Sequence, residues 1–176
     1  MYFDNKVAVV IPCFNEASQI GLVIETMPKM VDRIIIVDDK SNDNSIDVIK
    51  KYINSDNFNY KNKISKPNRI IKNLFNSAEI LLQEKNDNEI KYFDKHRIFN
   101  NNIDDRIVLI EKEKNTGNGS SIAIGLKWCK DNDIGFSAIM DGDGQMDPNE
   151  LESILNPLAE GVSDYVKGNR LRYPGA

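Results

Sequence analysis

Four short apolar runs, separated by helical patterns and polar loops, constrain the fold of this chain more than any other feature. The runs occupy residues 7–11, 34–37, 107–110 and 136–140, and each is predicted to be a buried strand. Between them, apolar residues recur three and four positions apart, as one face of a helix requires. These stripes are Ile20, Val23, Ile24 and Met27; Ile46, Ile49 and Ile53; Ile122, Leu126 and Cys129; and Leu151, Ile154, Leu155 and Leu158. The alternation predicts an α/β domain with a parallel sheet and right-handed crossovers.

Size and composition indicate one domain and exclude several classes of protein. The 176 residues are enough for a sizeable core, and a net charge of −4 argues against a general nucleic-acid binder. The distant cysteines Cys13 and Cys129 favour free thiols in a reducing compartment. No signal-peptide pattern is present, and no apolar run approaches the roughly 20 residues that cross a bilayer. We therefore expect a cytoplasmic domain, and the loop-like residues 172–176 suggest that it is truncated at its carboxyl end.

Residues 54–105 differ in character from the rest of the chain. They are rich in Asn, Lys and Asp, which indicates a polar insertion. One helical stripe within it predicts a helix that packs on this domain or on a partner; its residues are Ile71, Leu74, Phe75, Ala78, Leu81 and Leu82. The single histidine, His96, lies in this polar stretch and is assigned no role. Beyond the insertion, residues 164–170 are interpreted as a last short strand with a basic end.

The fourth apolar run ends in Asp-Gly-Asp-Gly-Gln at residues 141–145. Two carboxylates one residue apart, Asp141 and Asp143, suit a divalent cation, and the glycines admit a large anionic ligand. A plain polar turn is the competing interpretation. A calcium loop is disfavoured because it needs glycine where Met146 stands. A helix should begin just after this turn, with Asp147 as its cap and Pro148 in its first turn.

Loops that follow the carboxyl ends of parallel strands lie on one rim of the sheet. This rim should collect residues 12–16, 38–43, 115–120 and 141–145, which are rich in acids. Crowded carboxylates repel one another, so a cation or polar ligand is expected among them. Asp38 and Asp39 suit ribose hydroxyls or a base N–H, but at least one of Asp38, Ser41 and Asp43 should only cap a helix or close a turn. Residues 117–119, Gly-Asn-Gly, form either a phosphate cradle or a tight turn.

Five stretches in this order resemble the motif set of family 2 glycosyltransferases, most closely the dolichyl- or polyprenyl-phosphate sugar synthases. They are Val-Val-Ile-Pro-Cys-Phe-Asn-Glu at 9–16, Val-Asp-Asp-Lys-Ser-Asn-Asp at 37–43, Asn-Thr-Gly-Asn-Gly at 115–119, Met-Asp-Gly-Asp-Gly-Gln at 140–145 and Lys-Gly-Asn-Arg at 167–170. The resemblance covers residues 7–53 and 107–170 and leaves 54–105 without a counterpart in compact members. It implies a GT-A fold, which has a mostly parallel, Rossmann-like sheet flanked by helices.

The resemblance also implies roles for individual residues. Those lining the nucleotide-diphosphate-sugar pocket would be Pro12, Phe14, Glu16, Val37, Asp39, Asp141, Gly142, Asp143 and Arg170. Asp141 and Asp143 would hold Mg²⁺ or Mn²⁺, with Gln145 completing the shell. Asp143 and Arg170 would act in catalysis, Arg170 at the donor phosphate. Asn169 departs from the serine that is common at its position.

The implied function is metal-dependent, inverting transfer of a sugar from a UDP- or GDP-sugar, with polyprenyl phosphate as acceptor. Peripheral association with the cytoplasmic face of a membrane would follow. One alternative is a transferase that acts on a saccharide or protein, for example in cell-wall or polysaccharide synthesis. A second is a sugar-nucleotide pyrophosphorylase, which residues 12–16 disfavour because they lack a glycine-rich basic loop. A third is a non-catalytic binding module built around the Ile71 helix.

Overall fold

A five-stranded sheet in the order β3-β4-β2-β1-β5 forms the centre of the protein. The computed structural model describes residues 2–61, 63, 68–100 and 102–169. In chain order, the elements are β1 (Val7–Cys13), α1 (Ile20–Thr26), β2 (Arg33–Asp38), α2 (Ser45–Ile53), α3 (Ser77–Glu89), β3 (His96–Ile98), β4 (Ile107–Lys112), α4 (Asn118–Asp131), β5 (Phe136–Ile139) and α5 (Leu151–Ala159). Short 3₁₀ turns occupy Ile90–Tyr92 and Pro148–Glu150.

Four of the five strands run parallel, as the apolar runs predict. β1 pairs with β2 and with β5, and β2 pairs with β4, all in parallel. In this register Val10 lies opposite Ile35 on one side and Ile139 on the other. The predicted α/β architecture is therefore confirmed, and the loops after these four strands leave from the same edge of the sheet.

Alternate residues of the central strands feed two separate hydrophobic clusters. Val9, Ile11 and Ile36 face the cluster that α1, α2 and α5 cover. Val10 and Ile35 face the opposite cluster, which α4 covers. The face of α4 differs from the predicted one: Ile124, Trp128 and Cys129 are buried, whereas Leu126 is exposed. Burial on both faces explains why these strands have continuous apolar sequences.

Two strand predictions at the carboxyl end of the chain need correction. β5 forms, but it is half exposed rather than buried, and Ile139 is 46% exposed. The reason is that, within the described residues, β5 pairs only with β1 and is an edge strand. The strand predicted at residues 164–170 is wrong for its described part, since residues 164–169 form no strand. Arg170 lies outside the residues that the structure describes.

The predicted helix in the 54–105 segment begins later than its apolar stripe. α3 starts at Ser77, so Ile71, Leu74 and Phe75 precede it. Asn76 provides the reason, because its side chain donates to the Ile71 carbonyl (2.9 Å) and accepts from the amide of Asn73 (2.7 Å). Asparagine side chains compete in this way with helical backbone bonds. Apolar packing of this helix on the domain itself is not found, because α3 buries none of its thirteen residues, all of which are described. Packing on a partner stays a prediction.

The 54–105 segment nevertheless adds to the sheet and is tied to the core. β3 pairs antiparallel with β4, an addition that the sequence did not indicate. The Asn59 side chain accepts from the Ile107 amide (2.9 Å), and Arg33 donates to the Ile103 carbonyl (2.8 Å). Both ends of the segment are thereby fixed to buried strands. Among the helices of the described part, none combines the length and apolar character needed to cross a bilayer.

The contact between α4 and β1 yields a first prediction. A Cβ atom on Gly125 would lie 2.3 Å from Cγ1 of Val10, a stiff and fully buried side chain. We expect Gly125→Ala to lower the free energy of unfolding, measured by urea denaturation, by about 1–3 kcal/mol. Gly119→Ala is the matched control in the same helix, since nothing lies within 4 Å of its Cβ position. Equal effects of both changes would contradict close packing at Gly125.

Candidate functional site

The loops that follow β1 and β2 are joined into one unit by hydrogen bonds. The amide of Asn15 donates to Ser41 Oγ (3.0 Å), and the amide of Glu16 donates to Ser45 Oγ (2.8 Å). In return, the amide of Asn42 donates to Asn15 Oδ1 (2.8 Å). Asn15 adopts a left-handed backbone conformation with φ of 60°. Asparagine tolerates this conformation better than most residues, which suits it to this sharp loop.

Two polar residues of the second loop serve its conformation. Asp43 accepts from the amide of Ser45 (2.9 Å) at the start of α2 and from the amide of Ala17 (3.1 Å) in the first loop. Ser41 accepts from Asn15, as described above. The expectation that at least one of Asp38, Ser41 and Asp43 only caps or closes a turn is confirmed. The second loop therefore presents Asp38 and Asp39 from a fixed frame.

Asp39 is buried and has three partners from other parts of the chain. Its Oδ1 lies 2.7 Å from Lys112 Nζ and accepts from the amide of Thr116 (3.0 Å). Its Oδ2 accepts from the amide of Gly117 (2.8 Å). Gly117 has φ of 95°, which L side chains rarely adopt, and it caps α4. The amide of Gly117 is therefore engaged by Asp39, and Gly117 itself serves the turn that begins α4.

Asp38 differs from Asp39 in keeping an unused acceptor. Its Oδ2 accepts from the amide of Ser41 (3.1 Å), whereas its buried Oδ1 has no hydrogen-bond partner within the described part of the chain. Burial raises the pKa of this carboxyl. Asp38 lines a cavity of about 400 Å³, together with Lys40, Ser41, Ile46, Lys50, Arg97, Glu111, Lys112 and Glu113. A buried acceptor without a partner is costly, so a ligand N–H or O–H would be favoured there.

The Asp141 turn lies against the first loop. The amide of Met140 donates to the Val10 carbonyl (3.0 Å), which carries the β1–β5 pairing up to the turn. A Cβ atom on Gly142 would lie 3.4 Å from the Pro12 carbonyl oxygen and 3.5 Å from Glu16 Cγ. The amide of Asp39 in turn donates to the Cys13 carbonyl (2.8 Å). Three of the four loops predicted to share one rim are therefore brought together, and the fourth, residues 115–120, reaches the same rim through the contacts of Thr116 and Gly117 with Asp39.

The carboxylates of this rim influence one another. The pKa of Glu16 is raised by burial and then by the negative charges of Asp143, Asp43 and Asp141. Excess negative charge of this kind fits a cation, and carboxylate oxygens are the donors that Mg²⁺ and Mn²⁺ prefer. In the described residues, no group of three or more His, Cys, Asp or Glu is close enough to hold a metal alone. A cation on this rim would therefore need further oxygen ligands from a bound substrate and from water.

Other predicted pocket residues occupy varied positions. Phe14 is 42% exposed at the tip of the first loop, and its ring is free to meet a flat ligand. Val37 is fully buried in the α4-facing cluster, so its side chain is directed into the core. Gln145 follows Asp143 in the turn, where its amide donates to Asp143 Oδ1 (3.0 Å). Asp147 accepts from the amide of Asn149 (2.9 Å), which confirms it as the predicted cap.

Two residues near the site were missed by sequence reasoning. Lys112, with a fully buried side chain, holds Asp39. Its position at the end of the third apolar run was the available signal. Asp94 comes from the 54–105 segment and accepts from Thr116 Oγ1 (2.6 Å) and from Ser120 Oγ at the start of α4. Nothing in the sequence pattern around Asp94 indicated this contact.

Comparison with known proteins identifies the family. The profile of "Glycosyl transferase family 2" matches residues 8–73 and 83–176. The chain belongs to family 2 of the glycosyltransferases. Its fold is therefore GT-A, and the family predicted from the five motifs is confirmed. The match omits only residues 74–82 between its two parts, a much narrower interruption than the 54–105 segment expected to lack a counterpart.

Two known proteins are similar in sequence to this glycosyltransferase domain. The UDP-N-acetylglucosamine--dolichyl-phosphate N-acetylglucosaminyltransferase of Methanococcus voltae is 25% identical over 172 residues, which cover 97% of this chain and 54% of that protein. The poly(ribitol-phosphate) beta-glucosyltransferase of Bacillus spizizenii is 44% identical over 52 residues, which cover 27% of this chain and 8% of that protein. The chain thus spans about half the length of the archaeal relative.

The Asp94 contact generates a pH-dependent prediction. Hydrogen bonds from Ser120 and Thr116 lower the pKa of Asp94 below its ordinary 3.8. A carboxyl with a lowered pKa stabilises the fold above its unfolded pKa, and this stabilisation disappears as pH falls through the folded value. We expect Asp94→Asn to lower the urea midpoint at neutral pH and to differ less from the parent at about pH 3. Asp56→Asn, at an exposed position, is the control. A pH-independent difference would contradict the charge assignment.

The buried thiols give a third prediction for this glycosyltransferase domain. Burial raises the pKa of Cys13 to about 12 and that of Cys129 to about 11, and both are free. Because the thiolate is the reactive form, both should resist a disulfide-exchange reagent at about pH 8 until the chain unfolds. The measurement is the rate at which dithionitrobenzoate releases thionitrobenzoate on reaction with the protein, with and without urea. Rapid reaction of either thiol in the folded protein would contradict the burial of that cysteine.

Proposed function

We propose that this glycosyltransferase domain transfers a sugar from a UDP- or GDP-sugar to polyprenyl phosphate, with inversion at the anomeric carbon. The observation that carries the proposal is the contact of the Asp141 turn with Pro12 and Glu16, on the rim that also bears Asp38 and Asp39. This arrangement gathers oxygen donors and the exposed Phe14 ring on one rim, and Asp38 of the same rim also lines the cavity of about 400 Å³. A nucleotide-diphosphate sugar requires each of these features.

Asp141 and Asp143 are proposed to hold Mg²⁺ or Mn²⁺, with Gln145 in support. The raised pKa of Glu16, caused by burial and by neighbouring carboxylates, supports a cation at this position. When bound, such a cation supplies positive charge to the departing diphosphate. Gly142 supports this role because a side chain there would meet the Pro12 carbonyl oxygen and narrow the approach of a diphosphate.

The donor nucleoside is proposed to lie between the first two loops. Phe14 offers an exposed ring against which a base can stack. Asp38 offers the buried acceptor described above to a base N–H or a ribose hydroxyl. Asp39 and Val37 support that pocket from beneath, since both are buried. Arg170, outside the described residues, is proposed to meet the donor phosphate and to offset its growing charge.

A lipid-phosphate acceptor would require no general base from the residues on the rim. An acceptor phosphate oxygen attacks the anomeric carbon from the side opposite the nucleoside diphosphate. The bond from that carbon to the diphosphate oxygen breaks, and its electron pair leaves with the nucleoside diphosphate. The second pKa of a phosphate ester is about 6, so the acceptor is ionised near neutral pH and no general base is needed. The Methanococcus voltae relative, named for dolichyl phosphate, supports this acceptor class.

A polymer acceptor is the second candidate function. The Bacillus spizizenii relative is named for poly(ribitol-phosphate), although its match covers only 27% of this chain. Transfer assays with radiolabelled sugar nucleotide, offering polyprenyl phosphate in one reaction and a saccharide polymer in the other, separate the two candidates. We propose that the lipid is used and that the domain works at the cytoplasmic face of a membrane.

The proposal predicts that Asp143 is needed for metal-supported donor binding. Titration calorimetry with UDP- and GDP-sugars, with and without Mn²⁺, should show tighter binding when Mn²⁺ is present. We expect Asp143→Asn to weaken the Mn²⁺-supported binding at least about tenfold, because even residues that merely support a metal ligand contribute 10–100-fold to affinity. Binding without metal should change little.

Asp56→Asn, which removes an exposed carboxylate outside the rim, provides the control for this titration. Retention of full Mn²⁺-supported affinity by Asp143→Asn would refute the proposed metal site. Failure of the parent protein to bind any sugar nucleotide would favour the non-catalytic module over a transferase.

A further inference from the structure

The segment before α3 exposes more apolar surface than any function proposed above uses. Ile71 is 86% exposed, Leu74 is 91% exposed and Phe75 is 96% exposed. These three side chains, which we call the apolar tip, fall within five consecutive residues. Single exposed apolar residues are common, but a cluster of nearly bare large side chains marks an interaction site. The apolar tip therefore requires a partner that shields it from water.

The backbone beneath the apolar tip is organised by its own hydrogen bonds. The Asn73 side chain accepts from the amide of Phe75 (2.8 Å), and the Asn76 side chain binds the Ile71 carbonyl and the Asn73 amide. Just before the tip, the amide of Ile70 donates to Gln83 Oε1 (2.8 Å) on α3. Backbone polar groups that are already paired lower the cost of entering an apolar medium. The loop is thus built to present these side chains outward.

Helix α3, which begins just after the apolar tip, is held to the body of the domain by polar contacts. Glu89 of α3 pairs with Lys130 of α4 (2.9 Å), and Asn86 donates to Asp131 (3.0 Å). Arg69, which precedes the tip, pairs with Asp87 of α3 (3.0 Å). These contacts fix α3 and leave the apolar tip at its amino-terminal end. The tip therefore projects from a supported position.

Charge around the apolar tip identifies the class of partner. Residues 57–78 contain five basic residues and no acidic residue, although the whole chain has 27 acidic residues and a net charge of −4. The basic residues are Lys61, Lys63, Lys66, Arg69 and Lys72; Lys66 lies outside the described residues, and Arg69 already pairs with Asp87. Lys61, Lys63 and Lys72 are exposed. Apolar side chains flanked by basic ones match the boundary of an anionic bilayer, where headgroups attract the lysines and acyl chains accept the rings and methyl groups.

We propose that the apolar tip and its basic neighbours dock this domain on an anionic lipid surface. Its purpose rests on the proposed function, because a polyprenyl-phosphate acceptor is confined to the membrane. The docking itself requires no catalysis and is testable separately. The same 54–105 segment supplies Asp94, which contacts Thr116 and Ser120 beside the donor rim. Docking through this segment would connect the rim to the bilayer through one continuous piece of chain.

The test is co-sedimentation of the whole chain with vesicles. One set contains phosphatidylcholine alone, and the other also contains phosphatidylglycerol. We expect the parent to bind the anionic vesicles, and binding to weaken as salt is raised. The double variant Leu74→Ser, Phe75→Ser should bind at least about tenfold more weakly. The double variant Lys61→Glu, Lys72→Glu should lose the preference for anionic lipid.

A matched control removes apolar surface elsewhere. Val162→Ser, Tyr165→Ser changes two side chains that are 75% and 76% exposed and distant in sequence from the tip, so vesicle binding should persist. An equal loss in this control would overturn the assignment to the apolar tip. Equal binding of the parent to neutral and anionic vesicles, or no binding to either, would also overturn the proposal. So would self-association of the parent that the Leu74→Ser, Phe75→Ser variant abolishes, because the tip would then contact protein.

Failure of this inference and failure of the proposed function give different results. Titration calorimetry with sugar nucleotide and Mn²⁺ is run on the parent and on the Leu74→Ser, Phe75→Ser variant. Unchanged donor affinity with lost vesicle binding would support docking as a separate property of the apolar tip. Vesicle binding by a parent that binds no sugar nucleotide would refute the proposed transferase function while leaving the docking surface in place.

Discussion

The buried ion pair between Asp39 and Lys112 connects the parts of this structure on which the site depends. Asp39 follows β2, Lys112 ends β4, and the same carboxylate accepts from the amides of Thr116 and Gly117 at the start of α4. Two buried charges are favourable only when close geometry and further hydrogen bonds offset their loss of water. Three partners for one carboxylate meet that condition. Removing one charge would leave the other uncompensated, so strand ends, helix start and second loop are mutually dependent.

This junction also connects the 54–105 segment with the rim of the candidate site. Asp94 contacts Thr116 and Ser120, while β3 lies along β4 and carries Arg97 to the buried carboxylate of Glu111. A segment that the sequence indicates as a polar insertion with one helix therefore supports the cavity beside Asp38. Membrane docking through the apolar tip and donor binding on the rim would use opposite ends of one connected piece of chain.

The sequence was most informative where the regular arrangement of apolar residues along the chain determined which side chains are buried. The runs at 7–11, 34–37 and 107–110 became buried parallel strands, and the rim followed because parallel strands end on one edge. Prediction failed where single side chains or distant partners decided the outcome. Asn76 diverted the backbone ahead of α3, and β5 is half exposed because it has one neighbour in the described residues. The roles of Lys112 and Asp94 depend on partners that no local pattern identifies.

The short antiparallel strand β3 has a consequence for how the molecule behaves among its own copies. An uncovered edge of a parallel sheet offers a row of unpaired N–H and C=O groups to any other extended chain. β3 occupies that row along residues 110–112 of β4, and it carries the charged and well-exposed Arg97, which pairs with Glu111 of β4. β3 has only three residues, which are too few to act as a template for another strand. It thus shields this edge of the sheet from β-pairing with other molecules. The 54–105 segment would in this way also guard the protein against aggregation.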